Sequence, residues 1–283
     1  MQHAPSTDGV SVALHDLAGS PGHPAVLIAH ATGFHGHAYL PVAKHLAPAF
    51  HTLAMDFRGH GDTARPPGWK VAWSGYGEDA LAAARAVAAL PGAAGGVAAF
   101  GHSMGGAGLL MAAAAEPGLF RRLVVFEPIV FPTDRVREPD TPNVLRDGAR
   151  RRRAVFDSFE AAIANYASKP PMAAFDPDAL DAYVRHGFRP DGDQVRLKCD
   201  PETEAETFDN GANHTTWDHL GRIETPVVVV SGRVEDSQPS AVAELIAERL
   251  PNGRFVQLEH LDHFGPMTHP AEVAALIAHD APH

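Results

Sequence analysis

The residues with the clearest capacity for chemistry lie in a glycine-flanked turn at 101–105, with the sequence GHSMG. An apolar run at 97–100 precedes this turn, and an alanine-rich segment at 106–115 follows it. A serine at a sharp bend between a strand and a helix exposes its hydroxyl, and glycines flank it because the neighbouring backbone leaves no room for Cβ atoms. We therefore predict that Ser103 is a nucleophile. A glycine-rich turn without chemistry is the alternative.

A serine nucleophile needs a general base, and histidine suits this role because its pKa lies near neutrality. His263 comes soon after the last apolar run, 255–258. The sequence FGP that follows it predicts a fixed turn into a final helix beginning near Pro270. We predict that His263 is the base, and we keep His260 and His269 as fallbacks.

The carboxylate that orients the imidazole has three candidates, all between Ser103 and His263 in the chain. Glu127 lies at the end of the apolar run 123–126, in a turn with proline. Glu235, with Asp236 as a near variant, follows the run 227–230. The order serine, acid, histidine holds for all three.

The loop 30–34, with the sequence HATGF, follows the apolar run 25–29. A turn at Gly33 could direct the backbone N–H of Thr32 toward a developing oxyanion. The N–H of Met104, the residue after the nucleophile, would be the second donor. The alternative is a tight strand-to-helix loop with no catalytic part.

The next apolar run, 52–57, leads into a loop with an acid and a base close together, Asp56 and Arg58. We predict that these two side chains pair and hold the loop, with Gly59 and Gly61 supplying positive φ angles. This interpretation gives the loop a structural role and not a catalytic one.

Near-continuous apolar runs alternate with helical patterns such as 78–90 and 241–250. This alternation indicates a mostly parallel sheet covered by helices on both faces. We predict an α/β fold with a doubly wound sheet and an early edge strand at 10–14, for which an antiparallel direction is one alternative. The alternation breaks between about Pro132 and Gly221, which predicts an inserted lid of mainly helical character. The predicted domains are a core, 1–131 with 221–283, and a lid, 132–220.

Composition limits the class of protein and its partners. The chain has 283 residues, 45% hydrophobic and 20% charged, with a formal net charge of −11 that argues against nucleic-acid binding. The single cysteine, Cys199, excludes an internal disulfide. The four-arginine run 150–153 is interpreted as a solvated helix face, with an anion site as the alternative.

No apolar run approaches the roughly 20 residues that span a bilayer, and the N-terminus lacks the pattern of a secretory signal. We therefore expect a cytoplasmic protein with a small-molecule substrate, no nucleic-acid or membrane partner, and a monomeric or homodimeric state. His35 and His37 lie two apart in a loop, but no HExxH spacing accompanies them. We expect no functional metal and no cofactor.

These motifs together resemble the α/β-hydrolase superfamily, specifically its lid-bearing serine hydrolases. The resemblance rests on four segments and covers nearly the whole chain outside the lid: 30–33, 56–61, 101–105 and 262–264. It is specific for the superfamily and poorly specific for substrate. Dehalogenases and epoxide hydrolases of this superfamily use an aspartate nucleophile, and this chain has Ser103 there.

The resemblance also bears on the acid. The family usually carries Gly-x-x-Asp with a proline four residues later, and here Gly232, Glu235 and Pro239 keep the spacing with glutamate in place of aspartate. Some members, including haloalkane dehalogenases and a group of lactone hydrolases, instead use a glutamate 24 residues after the nucleophile, and Glu127 lies at that interval. A glutamate's extra methylene suits the longer reach, and a carboxylate among apolar groups is costly unless paired. We therefore favour Glu127, then Glu235, then Asp236.

The resemblance implies an ester or lactone hydrolase that forms an acyl-enzyme on Ser103. Carbon–carbon bond hydrolases, amidases and cofactor-free perhydrolases share the triad and remain alternatives, as does a non-catalytic receptor for a small ligand. A largely apolar substrate is expected, because the residues predicted to line the pocket are apolar or aromatic, with packing inside the lid as the alternative. They are Phe34, Met104, Ile129, Phe131, Tyr166, Phe175, Tyr183, Phe188 and Trp217.

Overall fold

A computed structural model describes residues 1–133, 142–235 and 238–279. The described residues form two sheets. The strands are β1 Gln2–Pro5, β2 Ser11–Ala18, β3 Ala25–Ala29, β4 His51–Met55, β5 Val97–His102, β6 Phe120–Phe126, β7 Val155–Phe156, β8 Phe188–Asp191, β9 Gln194–Leu197, β10 Val227–Ser231 and β11 Gly253–Gln257.

Helices connect most of these strands, and among the described residues none of them is long and apolar enough to cross a membrane. The helices are α1 Leu40–Leu46, α2 Trp73–Ala88, α3 Met104–Ala115, α4 Val144–Arg150, α5 Phe159–Ala167, α6 Pro177–Gly187, α7 Pro201–Asp209, α8 Thr216–His219, α9 Ser240–Arg249, α10 Gly265–Thr268 and α11 Pro270–His279.

The main sheet has eight strands in the order β1-β2-β4-β3-β5-β6-β10-β11. Along this order, the strands from β4 through β3, β5, β6 and β10 to β11 are all parallel. β2 pairs antiparallel with both β1 and β4. The prediction of a mostly parallel α/β sheet is therefore confirmed. The early strand, β2, is antiparallel to both of its neighbours, but the prediction that it forms the edge is wrong, because β1 lies outside it. Because β1 is mostly exposed, its sequence has no apolar run that would reveal it.

The sheet separates two hydrophobic clusters. Successive residues of β3 point to opposite faces, so Leu27 belongs to one cluster while Val26 and Ile28 belong to the other. Helices α2, α3 and α9 cover the first face, and α1 and α11 cover the second. Complete burial of an aliphatic side chain stabilises the fold by about 1.5–3 kcal/mol. This double cover explains why the central strands read as continuous apolar runs.

The segment 132–220, called the insertion below, contributes α4 to α8 and a second sheet in the order β7-β9-β8. Its pairings are antiparallel. The expected mainly helical character thus comes with a small sheet that the sequence analysis missed. The insertion contacts the core near the carboxyl edge of the main sheet, where the amide N–H of Asp176 donates to the carbonyl of Met267 at 2.9 Å.

Candidate active site

Ser103 lies at the bend between β5 and α3, as the glycine-flanked motif predicted. Its backbone has φ 55° and ψ −115°, a conformation that non-glycine residues rarely adopt. The Ser103 N–H donates to the carbonyl of Phe126 at 2.9 Å, and the Ser103 carbonyl accepts from the N–H of Ile129 at 3.2 Å. The bend is therefore held against the end of β6, the strand that leads into Glu127.

The flanking glycines are required by close approach. A Cβ at Gly101 would lie 2.7 Å from the carbonyl oxygen of Gly105, and a Cβ at Gly105 would overlap the carbonyl oxygen of Ala29. Neither glycine is among those with positive φ. The bend at Ser103, called the elbow below, thus packs directly against β3, the strand that ends at the loop 30–34.

Glu127 and His263 form a hydrogen-bonded pair beside this bend. The Nδ1–H of His263 donates to Oε2 of Glu127 at 2.6 Å, and the other carboxylate oxygen, Oε1, accepts from the N–H of Gly232 at 2.9 Å. The Glu127 side chain is 2% exposed and that of His263 is 27% exposed. A carboxylate buried to this degree needs such partners. The pair leaves Nε2 of the ring as the nitrogen that can accept a proton.

Glu235, the second candidate acid, is not placed for this role. Glu235 is exposed and pairs with Arg233 at 3.2 Å, and its backbone N–H bonds the Ser240 hydroxyl. Asp236 lies outside the described residues. The fallback histidines are also held elsewhere. His260 pairs with Glu272 at 2.8 Å, and His269 bonds the Thr268 hydroxyl.

A chain of buried hydrogen bonds connects the loop 30–34 to the backbone of His263. The N–H of Ala31 lies 3.1 Å from the Tyr39 hydroxyl, which donates to Nδ1 of His102 at 2.8 Å. The Nε2–H of His102 then donates to the carbonyl of His263 at 2.8 Å. Burial holds the pKa of His102 well below its usual range, so the ring stays neutral and the direction of each bond is defined. The sequence analysis missed both His102 and Tyr39. The adjacency of His102 to the nucleophile was the one available signal.

No hydrogen bond between the Ser103 hydroxyl and the His263 ring occurs among the residues that the structure describes. The two residues are linked instead through His102, whose ring centroid lies 5.0 Å from that of His263. In ligand-free enzymes such catalytic contacts are often long and tighten on substrate binding.

The loop proposed to supply an oxyanion donor is a tight turn. The N–H of Phe34 bonds the carbonyl of Ala31 at 3.1 Å, and Gly33 has φ 75°. Thr32 lies inside this turn and is 7% exposed. Met104, whose N–H is the second expected donor, begins α3 and is fully buried. Both residues thus lie at the carboxyl edge of neighbouring strands.

His30, at the start of this loop, has a structural role. Its Nδ1–H donates to the carbonyl of Ala31 at 2.8 Å, and its Nε2 accepts from the N–H of Phe57 at 3.0 Å. Burial lowers the pKa of His30 to about 3, so the neutral ring ties the end of β3 to the end of β4.

The predicted pairing of Asp56 with Arg58 is wrong. Arg58 makes a buried two-point contact with Asp79, Nε to Oδ2 at 2.9 Å and Nη2 to Oδ1 at 2.8 Å. Asp56 instead pairs with His15 at 2.8 Å. Asp56 and Arg58 still hold the loop as predicted, but each does so through a partner that is distant in sequence. The positive φ angles of Gly59 and Gly61 are as expected.

Three of the predicted pocket residues, Phe34, Phe175 and Tyr183, lie beside the site, and the ring centroid of Phe175 is 6.2 Å from that of Phe34 and 5.6 Å from that of Phe264. The ring centroid of Phe34 is 6.4 Å from that of His102 and 5.0 Å from that of Tyr183. Phe264, next to the candidate base, lies 6.4 Å from Phe34. An aromatic wall therefore stands next to the candidate nucleophile and base.

Five other predicted pocket residues lie elsewhere, and one of them, Phe188, packs against Tyr166 inside the insertion with ring centroids 6.3 Å apart. Tyr166 packs inside the insertion against Tyr183, and Ile129 bonds Ser103 through its N–H. Phe131 and Trp217 pack on the hydrophobic cluster under α2 and α3. The guanidinium of Arg249 covers the Trp217 ring at 4.8 Å, at the end of α9 far from the carboxyl edge of the sheet. The structure therefore does not bring Trp217 to the site.

One group of potential metal ligands occurs among the described residues, and it is His15, Asp56 and Asp62, with ligand atoms within 4.8 Å of one another. His15 already donates to Asp56, and the ammonium of Lys198 lies 2.6 Å from Asp62. A cation would have to displace these contacts. His35 bonds the Tyr183 carbonyl through Nε2 and is not part of this group.

A groove of about 760 Å³ lies between α2, α3 and the region 210–222. Its walls include Trp73, Met111 and His214, and do not include Ser103, Glu127 or His263. The groove is therefore separate from the chemistry described above.

A family model described as the alpha/beta hydrolase family matches residues 26–276. The chain belongs to this family. The match extends across the insertion and both parts of the core, so it covers Ser103, Glu127 and His263 together. The comparison with curated proteins found no match.

Many solved structures share the alpha/beta hydrolase fold with this chain. E-2-(acetamidomethylene)succinate hydrolase has a TM-score of 0.77 at 22% identity, covering 98% of this chain and 97% of its own. The enol-lactonase from Burkholderia xenovorans LB400 has a TM-score of 0.69 at 17% identity, covering 98% of each chain. A thermophilic esterase from Thermogutta terrifontis has a TM-score of 0.67 at 18% identity, covering 98% of this chain and 96% of its own. At these identities the likeness shows the fold alone.

Proposed function

We propose that this alpha/beta hydrolase cleaves a carboxylic ester or a lactone of a small, largely apolar substrate through an acyl-enzyme on Ser103. The observation that carries the proposal is the buried Glu127 carboxylate on Nδ1 of His263, next to a serine at φ 55°. Two proteins of similar fold, the esterase and the enol-lactonase named above, agree with this substrate class.

In the proposed reaction, Nε2 of His263 takes the Ser103 hydroxyl proton while the serine oxygen attacks the substrate carbonyl carbon. The carbonyl oxygen becomes an oxyanion, which the N–H groups of Thr32 and Met104 stabilise. The imidazolium then returns the proton to the leaving alkoxide, and Glu127 stabilises the imidazolium. In the second half, His263 deprotonates a water that attacks the acyl carbonyl, and the acid leaves as Ser103 regains its proton.

We further propose that the insertion is a lid over this site. Its residues contact the loop 30–37 directly, because the Tyr183 hydroxyl donates to the Gly33 carbonyl at 3.2 Å and His35 donates to the Tyr183 carbonyl at 3.0 Å. Apolar and aromatic side chains on both sides favour an apolar acyl or ring-containing substrate.

The decisive experiment is labelling with a fluorophosphonate, followed by mass spectrometry and a panel of p-nitrophenyl acetate, p-nitrophenyl butyrate and simple lactones. We expect modification at Ser103 alone, turnover with a burst of p-nitrophenol, and loss of both in S103A. Modification at another residue would overturn the mechanism. No labelling and no turnover with folded protein would favour a small-ligand receptor.

A further inference from the structure

The four-arginine run 150–153 was predicted to be a solvated helix face, but α4 ends at Arg150 and Arg152 is mostly buried. Arg150 is exposed and pairs with Glu202 on the surface, at 2.7 Å. Arg152 instead turns into the protein, where its side chain is only 16% exposed and pairs with Glu204, 9% exposed, on α7. A mostly buried ion pair costs desolvation unless further hydrogen bonds satisfy it. The surroundings of Arg152 supply such bonds.

The guanidinium of Arg152 lies between two tyrosines of the insertion. It is 5.8 Å from the ring centres of both Tyr166 and Tyr183, and its Nη2 donates to both hydroxyl oxygens. A guanidinium can only donate, so the Tyr183 hydroxyl accepts from Arg152 and has its own proton free to donate elsewhere. That proton goes to the carbonyl of Gly33 at 3.2 Å.

Burial raises the pKa of Tyr183 above its ordinary value, so the phenol keeps this proton. The direction of the relay is therefore defined, from Arg152 to Tyr183 to the Gly33 carbonyl. Glu204 adds a second contact with the same loop. A Cβ built on Gly33 would lie 2.8 Å from the carboxylate carbon of Glu204 and 3.2 Å from Nη1 of Arg152. The ion pair thus packs directly on the backbone of Gly33.

Gly33 is the neighbour of Thr32, whose N–H is the proposed oxyanion donor. On the core side, the turn is held through Ala31, by the Tyr39 hydroxyl and by the N–H of Phe34. The contacts of Tyr183 and Glu204 hold its other end, at the one residue of the turn with positive φ. Without them, the Gly33–Phe34 peptide could rotate, the tight turn could loosen, and the backbone of Thr32, including its N–H, could shift away from the oxyanion.

We propose that Tyr183, oriented by the Arg152–Glu204 pair, is a positioning residue that holds the Thr32 N–H in the oxyanion hole. The inference rests on the proposed function and assigns part of the oxyanion hole to the insertion. The lid is then required for the chemical step as well as for covering the substrate. Since an oxyanion donor acts mainly on the transition state, loss of its alignment lowers kcat more than it changes KM.

The test compares Y183F, R152K and R152M with the wild type, using p-nitrophenyl butyrate and a trifluoromethyl ketone that forms an anionic tetrahedral adduct with the serine. Y183F keeps the ring and removes the relay. We expect its kcat to fall about tenfold, with KM changed less than twofold, and its affinity for the ketone to fall in parallel. R152M behaves like Y183F, and R152K recovers part of kcat because the ammonium still donates to Tyr183. R150M, which breaks the exposed pair, is the control and keeps wild-type kcat.

A kcat for Y183F within twofold of the wild type would overturn the proposal. A rise in KM at constant kcat and constant ketone affinity would overturn it too, because it would assign Arg152 and Tyr183 to substrate binding. If R152M does not fold, as judged by circular dichroism, Y183F and R152K decide. Failure of the proposed function is distinguishable, because the wild type itself would then show no label on Ser103 and no turnover.

Discussion

Backbone conformation singles out the candidate catalytic residues. Among the described residues, three non-glycine residues have positive φ, and two of them are Ser103 and Glu127. Such conformations cost about 1–3 kcal/mol each and persist where the surroundings determine them strongly. Here the surroundings are the hydrogen bonds between the two bends and the ends of β6 and β10. The two strained residues lie at the ends of neighbouring strands, and Glu127 bonds the His263 imidazole there.

The pairing of Glu127 with His263 predicts the result of a pair of amide substitutions. Glu127→Gln removes the charge that stabilises the imidazolium, so kcat for p-nitrophenyl butyrate should fall by about 10⁴. Glu235→Gln, on an exposed side chain that pairs with Arg233, should leave kcat within about twofold, since exposed pairs contribute little. A loss under tenfold for Glu127→Gln, or a larger loss for Glu235→Gln, would assign the acid elsewhere.

Tyr39 satisfies two buried groups, so Tyr39→Phe should be destabilising. The substitution leaves the Ala31 N–H and Nδ1 of His102 without partners, which costs about 1–3 kcal/mol of unfolding free energy in urea denaturation. It should also lower kcat, because the chain from the loop 30–34 to His263 is broken. Tyr76→Phe is the matched control. Its hydroxyl bonds Thr207, away from the site, so stability should fall without a change in kcat. Equal kcat values for wild type and Tyr39→Phe would show that the chain has no catalytic effect.

The sequence predicted which residues lie at the candidate site more readily than which side chains they pair with. Ser103 and His263 follow strands of a parallel sheet, so their common edge could be predicted. Glu127 and Glu235 both meet that condition, and only side-chain direction and burial separate them. The partners of Asp56 and Arg58 come from β2 and α2, far away in sequence. Nothing local in the sequence indicates contacts of that kind.

At the scale of elements, the success of prediction follows burial. Buried strands such as β3 and β10 are continuous apolar runs, and their predicted and observed bounds agree closely. The strands of the small sheet have two to four residues and exposed positions, as in β8, where only Phe188 is buried. A run this short has no periodicity to detect. The strands of the insertion were therefore not predicted.

Two glycine-to-alanine substitutions should have opposite effects on stability, because the new Cβ meets the backbone of β3 in one and meets no atom in the other. In Gly105→Ala the new Cβ would overlap the Ala29 carbonyl, so the elbow must move and the protein should lose about 1–3 kcal/mol or more. Gly148, in α4, has no atom within 4 Å of a built Cβ. Gly148→Ala should gain about 0.5–1 kcal/mol because alanine favours the helix. Urea denaturation measures both. A Gly105→Ala variant as stable as the wild type would contradict this account of the elbow.

At the scale of the whole molecule, histidines join the core to the insertion. The ring of His37 stacks on that of His186 in α6, with centroids 4.0 Å apart, and His15 lies 4.1 Å from His37. Burial lowers the pKa values of His35, His37 and His186. Neutral imidazole rings therefore form part of the contact between the core and the insertion. We expect this contact to depend on the rings staying neutral.

The burial of His35 predicts acid sensitivity of the fold. Its Nε2–H donates to the Tyr183 carbonyl, and its Nδ1 is buried without a partner, so protonation would bury an N–H with no acceptor. Burial lowers its pKa from 6.5 to about 4, with Asp56 opposing this shift and His186 and Lys198 adding to it.

The unfolded chain therefore binds this proton more readily, and stability is lost as the pH falls from about 6.5 toward 4. At pH 5 the loss from this one group is about 2 kcal/mol. Urea denaturation at pH 7.5 and 5.0 should show a drop for the wild type that is smaller by this amount in His35→Gln, whose amide can still donate to Tyr183. His45→Gln, on an exposed residue of α1, should keep the wild-type drop. Equal drops in all three proteins would show that the contact between core and insertion does not depend on the neutral ring of His35.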